Sequence, residues 1–146
     1  MVQSLENLVV LLVDDEQFIR QLVARLLRDM GVREVMTAED GEDAVKKLNT
    51  YAGRIGLVIL DLEMPNKNGF QVIQEVRRGT LNIDPNLPII ILTGHGQQGA
   101  VKSAVKLGVH GFLVKPMSRD ALEKRIKVAL SSGPIDPARL EKQNHE

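Results

Sequence analysis

The chain contains no cysteine and no tryptophan, a single tyrosine and three phenylalanines. Without cysteine there is no disulfide, no thiolate metal site and no sulfur nucleophile, and the absence fits a reducing compartment. Charge of one sign is lacking as well, because nineteen basic residues meet nineteen acidic ones and the formal net charge is zero. With so few aromatic rings, that balance excludes the basic, ring-rich face typical of nucleic-acid binders. Long apolar runs are missing too. The longest, Leu8 to Val13, is far too short to cross a bilayer. Met1 to Asn7 carries neither the basic segment nor the apolar stretch of a secretory leader. The expectation is a cytoplasmic protein that engages neither membrane nor nucleic acid directly.

What is present is the balance of a globular chain: 43% hydrophobic and 26% charged residues over 146 positions, enough for one core. Five short apolar runs read as strands: Val9 to Val13, Glu34 to Ala38, Leu57 to Leu60, Ile89 to Leu92 and Gly111 to Val114. Four are nearly continuous in apolar residues, which means burial on both faces, as in a parallel sheet covered by helices. The second run is weaker.

Helical periodicity fills the gaps. Phe18, Ile19, Leu22, Val23, Leu26, Leu27 and Met30 form one stripe, and Gly31 behind it suits a left-handed stop. Ala44, Val45 and Leu48 form a second. Val72, Ile73 and Val76 form a third, and Ala100, Val101, Ala104 and Val105 a fourth. Ala121, Leu122, Ile126 and Ala129 mark the last, with Ser118 as its expected N-cap. Gly79 to Pro88, with two prolines and two asparagines, reads as a loop. The alternation predicts an α/β fold: a doubly wound, five-stranded parallel sheet of order 2-1-3-4-5, flavodoxin-like, with helices on both faces. Residues 1–130 form the expected domain, and 131–146 read as a C-terminal tail or the start of a linker.

In such sheets chemistry gathers outside the carboxyl ends of the strands. Asp14 and Asp15 follow the first strand, Asp61 ends the third, Thr93 the fourth and Lys115 the fifth, before Pro116. Carboxylates brought together repel unless a cation neutralises them. With no Cys or His at ligand spacing, a hard, oxygen-seeking ion is indicated, and Mg²⁺ suits the site. A carboxylate can also act as a nucleophile and form an aspartyl phosphate. Lys115 offers a cation for a phosphoryl oxygen, Thr93 a hydroxyl donor, and Gly94 leaves the approach open. Taken singly, the residues have plainer readings. Asp14 and Asp15 can be acids at a helix start, Asp61 a turn residue, Phe112 ordinary core, and Lys102 and Lys106 a solvated face. His95, His110 and His145 are scattered, so solvated histidine is expected for each.

Taken together, Val13-Asp14-Asp15, Leu60-Asp61-Leu62-Glu63-Met64-Pro65 with Asn68-Gly69, Ile91-Leu92-Thr93-Gly94 and Val114-Lys115-Pro116 resemble the response-regulator receiver family over about residues 6 to 130. The resemblance implies roles position by position. Asp61 accepts the phosphoryl group, and Asp14, Asp15, Asp61 and the main-chain carbonyl of Glu63 hold Mg²⁺. Thr93, Gly94 and Lys115 bind the phosphoryl group. Thr93 and Phe112 form the switch, although Phe112 lacks the hydroxyl of the tyrosine often found there. The Lys115–Pro116 bond is expected to be cis. Glu63 and His95 take the family's variable flanking positions, and the glycine-bearing loop from Gly94 to Gly99 is expected to reorganise.

The function implied is two-component signal transduction. A sensor histidine kinase or phosphotransfer protein donates the phosphoryl group, and a downstream protein target reads the surface of the fourth helix, fifth strand and fifth helix. Homodimerisation through that face is left open. No enzymatic activity beyond self-phosphorylation and self-dephosphorylation is implied. Two alternatives use similar residues. An aspartate-nucleophile phosphohydrolase of the haloacid-dehalogenase type would carry its nucleophile after the first strand and usually a cap domain. A phosphorylation-independent, receiver-like scaffold would normally have lost an acid, the Thr or the Lys.

Overall fold

A computed structural model describes residues 5–94 and 97–139. His95, His145 and the last residues of the predicted tail lie outside the described residues. A short 3-10 turn over Leu5–Asn7 leads into β1 (Val9–Val13), α1 (Gln17–Asp29), β2 (Glu34–Ala38), α2 (Gly41–Thr50) and β3 (Leu57–Asp61). Then follow α3 (Gly69–Arg77), β4 (Ile89–Thr93), α4 (Gln98–Leu107), β5 (Gly111–Val114) and α5 (Arg119–Ser131). The five strands pair in parallel in the order β2-β1-β3-β4-β5, the α/β topology expected from the sequence.

The continuous apolar runs are explained by alternation. Successive side chains of a strand point to opposite faces. In β1, Val9, Leu11 and Val13 join a core cluster shared with α2, α3 and α4, while Val10 and Leu12 join a second cluster shared with α1 and α5. β3 and β4 divide the same way: Val58, Leu60, Ile89 and Ile91 on the first side, Leu57, Ile59, Ile90 and Leu92 on the second. Each fully buried Leu, Ile or Val contributes about 1.5–3 kcal/mol relative to exposure, so both faces must be apolar. β2 reads weakly because it is an edge strand, half-buried except at Ala38.

Local signals fix the helix ends. Asp40 caps α2 through Asp43 N–H, and Ser118 caps α5 through Ala121 N–H as predicted. Asn68 and Gln71 form a reciprocal capping box at α3. Gly31, past the end of α1, has φ of 86°, the left-handed geometry expected for it. Beyond α5 the chain turns back, and Ile135 N–H bonds to the Val109 carbonyl at 2.8 Å.

Two expectations are corrected. Phe18, assigned to the buried stripe of α1, is 71% exposed. The row facing the core is Ile19, Val23 and Leu27, and Phe18 heads the neighbouring row, with Leu22 and Leu26 only partly covered. His110, expected in solvent, is buried before β5. Its main-chain N–H donates to the Ile89 carbonyl at 2.7 Å, and its Nδ1 accepts Ile89 N–H at 3.3 Å, so the ring extends the β4–β5 edge. The neutral ring therefore carries its proton on Nε2.

Burial, with the Arg77 guanidinium as a lesser cause, lowers the His110 pKa from 6.5 to about 4. Between these values the unfolded chain binds a proton that the folded one refuses. Stability is therefore lost as pH falls from 6.5 towards 4, by up to about 3 kcal/mol. His110→Gln keeps a neutral acceptor. Urea unfolding at several pH values should show the wild type losing that amount relative to the variant across this window. A constant difference between the two proteins would refute the assignment.

Candidate functional site

The site is carried by the last residues of β3 and β4 and by the residues that follow β1 and β5, and strand alternation decides which way Asp61 and Thr93 face. Asp61 is in phase with Leu57 and Ile59, whose side chains lie on the α1/α5 side. Thr93 is in phase with Ile89 and Ile91, on the α4 side. Asp14 follows Val13, and Lys115 follows Val114, both just past the strand ends. The two acids and the lysine meet: Lys115 Nζ lies 3.2 Å from Asp14 Oδ2 and 3.6 Å from Asp61 Oδ2.

Asp14 is fully buried and Asp61 is 4% exposed. Asp14 Oδ1 accepts Glu16 N–H at 2.8 Å, and Asp61 Oδ1 accepts Glu63 N–H at 3.3 Å. Arg20 donates to the Asp14 main-chain carbonyl at 2.6 Å. The N-cap residue of α1 is Glu16, and it makes no capping bond, so the helix-start reading of Asp14 and Asp15 is not what the structure contains. Asp15, Glu16, Asp61, Glu63, Gly94, Gln97 and Lys115 line an open cleft of about 360 Å³.

Electrostatics favour a cation here. Burial, and then the neighbouring Asp14 carboxylate, push the Asp61 pKa up to about 7, against relief from Lys115. Burial also raises Asp14, partly offset by the Glu16 N–H and by Lys115. Burial works against the Lys115 ammonium, but the Glu16 carboxylate, then Asp61 and Asp14, hold its pKa well above the ordinary lysine value. Ligand oxygens of Asp14, Asp15, Glu16 and Asp61 all lie within 4.8 Å of one another. Four carboxylates thus face one ammonium. An all-oxygen donor set with excess negative charge fits a small hard divalent ion such as Mg²⁺.

Two residues at the site escaped sequence reasoning. Glu16 pairs with Lys115 at 3.0 Å. Its signal was its place as the third acid in a row, which reads equally well as the start of α1. Gln97 holds Thr93. The Thr93 hydroxyl donates to Gln97 Oε1 at 2.8 Å, and Gly94 N–H donates to the same oxygen at 2.9 Å. A glutamine in a glycine-bearing loop gives no warning of this. Phe112 is partly buried, packed on the α4 side of the core, three residues before Lys115. The Lys115–Pro116 peptide is cis. Gly69 N–H donates to the Leu62 carbonyl, drawing the start of α3 against the end of β3.

Among the described residues no helix is long and apolar enough to cross a membrane. Comparison with known proteins gives a consistent outcome. The chain is 33% identical over 122 residues to chemotaxis protein CheY1 of Helicobacter pylori, covering 84% of this chain and 96% of that one. It is 31% identical over 121 residues to chemotaxis protein CheY of Treponema pallidum, covering 83% and 81%. Among solved structures, chemotaxis protein CheY4 of Vibrio cholerae matches with a TM-score of 0.74 at 34% identity, over 84% of this chain and 98% of that one. CheY in a CheX–CheY–BeF3–Mg²⁺ complex from Borrelia burgdorferi matches with a TM-score of 0.74 at 29% identity, over 82% and 86%. The profile of the response regulator receiver domain matches residues 10–127. With that span, and with the acids and lysine gathered at the ends of β1, β3 and β5, the chain belongs to the response regulator receiver family.

Proposed function

We infer that this receiver domain accepts a phosphoryl group on Asp61 in a Mg²⁺-dependent reaction and thereby switches a protein-binding surface. The observation that carries the reading is the convergence of the Asp14 and Asp61 carboxylates on the Lys115 ammonium within 3.6 Å, at the mouth of an open cleft. An Asp61 oxygen attacks phosphorus in line. The bond from phosphorus to the donor breaks, and the leaving group departs as neutral imidazole from a phosphohistidine protonated on its other ring nitrogen, or as the acetate anion from acetyl phosphate. A sensor histidine kinase or phosphotransfer protein is the donor expected in the cell.

Asp14, Asp15, Asp61 and the Glu63 main-chain carbonyl would hold the Mg²⁺ ion. When bound, the ion offsets the negative charge that gathers as the phosphoryl group approaches. Lys115 supplies a second positive charge, one that is already in place. Thr93 Oγ1–H and Gly94 N–H are the donors available to the phosphoryl oxygens. Burial and Asp14 keep a share of Asp61 protonated near pH 7, and the nucleophile must be the carboxylate. The Lys115 ammonium, 3.6 Å from Asp61 Oδ2, favours that form.

In this reading Thr93 then moves toward the phosphoryl group and Phe112 turns inward, which alters the face of α4, β5 and α5 for a downstream protein target. The CheX–CheY–BeF3–Mg²⁺ complex supports the same chemistry, since it pairs a relative with a fluoride-based anion, Mg²⁺ and a protein partner. The domain is read as residues 1–130, with 131–146 as a tail or the start of a linker.

Incubation with acetyl phosphate and Mg²⁺ should add the mass of one phosphoryl group to the wild type. Asp61→Asn should gain none, and a chelator should abolish the wild-type gain. An equal gain on Asp61→Asn would overturn the assignment of the acceptor.

A further inference from the structure

The hydroxyl of Thr93 and the amide of Gly94 are the two donors that a phosphoryl group on Asp61 needs, and both are already engaged. They converge on one atom, Gln97 Oε1, at 2.8 and 2.9 Å. Two donors meeting at one atom identify it as the carboxamide oxygen, because an amide nitrogen there would set donor against donor. The same Gln97 side chain lines the cleft with Asp61, Gly94 and Lys115. Gln97 is also the residue immediately before α4, yet its side chain makes no capping bond to that helix. It turns back to the end of β4 instead.

We propose that the Gln97 side-chain oxygen is a resident competitor for the phosphoryl group, filling the Thr93 and Gly94 donor positions until phosphorylation of Asp61 displaces it. The proposal rests on Asp61 being the phosphoacceptor. A phosphoryl oxygen carries charge, and hydrogen bonds to an ionised acceptor are roughly twice as strong as those to a neutral amide oxygen, so the exchange runs towards the phosphorylated form. In the step itself an Asp61 oxygen bonds to the phosphorus of acetyl phosphate, and acetate leaves as the anion. Thr93 and Gly94 then exchange one acceptor for another without losing a proton. Thr93 has a second acceptor within reach, the Gly94 carbonyl at 3.3 Å, so its hydroxyl is partnered while the exchange takes place. The tie between the end of β4 and the residue that starts α4 is thereby broken by the same event that modifies Asp61. Gln97 is a positioning residue in this scheme and takes no part in bond making.

The test uses the 146-residue chain, Mg²⁺ and acetyl phosphate, with the phosphorylated fraction read by intact mass. Losing the competing acceptor in Gln97→Ala should lower the acetyl phosphate needed for half-phosphorylation by roughly five- to tenfold. Gln97→Met has nearly the same length without the oxygen and should follow Ala, which guards against a simple loss of α4. Gln97→Glu should raise the requirement, because a carboxylate holds both donors more tightly and repels the incoming anion. Before any acetyl phosphate is added, the Gly94 amide proton should move upfield in the Ala and Met variants relative to wild type. The proposal is overturned if the wild type is phosphorylated on Asp61 while all three variants share its midpoint, or if Glu and Ala shift it in the same direction. No phosphorylation of the wild type at all would instead remove the assignment of Asp61, a different and separately visible failure.

Discussion

Lys115→Met should destabilise the metal-free protein by about 3 kcal/mol at pH 8 and by far less at pH 4.5. The Lys115 side chain is 11% exposed and pairs with three carboxylates, two of them buried. Methionine keeps most of the apolar stem, so the loss is chiefly that of the charge. Without the ammonium, Asp14 and Asp61 face each other unrelieved, and their pKa values, already raised, climb further. A carboxyl group whose folded pKa exceeds its unfolded value of 3.8 makes the folded state bind more protons. Its penalty is therefore absent below that value and grows as pH rises through the folded pKa. The cost of the substitution must grow in the same direction. Urea denaturation in the presence of a chelator, at pH 8 and 4.5, measures it. An equal cost at both pH values would mean that the lysine stem, and not its charge, stabilises the site. Phosphorylation by acetyl phosphate should fall steeply in the same variant, because the donor is an anion and the cluster is then uncompensated.

Gly69→Ala should cost about 3 kcal/mol or more, a large effect for one methyl group. A Cβ at this position would stand 2.5 Å from the Asp61 carbonyl oxygen and 2.8 Å from Leu62 Cα. Both are backbone atoms, so no side chain can swing aside. Relief requires α3 to lift away from β3, which strains the Gly69 N–H to Leu62 carbonyl bond. The displaced segment includes Asp61, so the rate of phosphorylation should drop together with the urea midpoint. Gly99→Ala is the matched control. It lies in α4 with nothing within 4 Å of the added carbon, and there alanine should be neutral or slightly stabilising. Equal stability of the Gly69 and Gly99 variants would show that the close approach of α3 to β3 is unimportant.

The strands were legible because a parallel sheet with two covered faces demands apolar residues on both, and β1 meets that demand throughout while β3 and β4 meet it up to their last residue. Asp14, Asp61 and Lys115 were legible for the complementary reason: a charge that ends such a run stands at the rim, where the topology brings neighbouring strands together. What could not be read depended on a side chain's direction. Phe18 and Ile19 are adjacent and both apolar, and only the placement of α1 on the sheet decides which one is covered. His110 looks like any isolated histidine until its ring is seen to close the edge of β4. Gln97 turns back from the start of its helix to accept from Thr93 and Gly94, a direction that nothing in its immediate sequence announces.

The opposite phases of Asp61 and Thr93 divide the work of the molecule between its two layers. Through most of its height the sheet is a partition of aliphatic groups, and a new charge on one side would be hidden from the other. At the rim, one strand offers its acid to the α1/α5 layer while its neighbour offers a hydroxyl to the α4 layer. Under the proposed function, a phosphoryl group placed on Asp61 in the first compartment would be sensed in the second across a single hydrogen bond from Thr93, with no helix having to cross the partition.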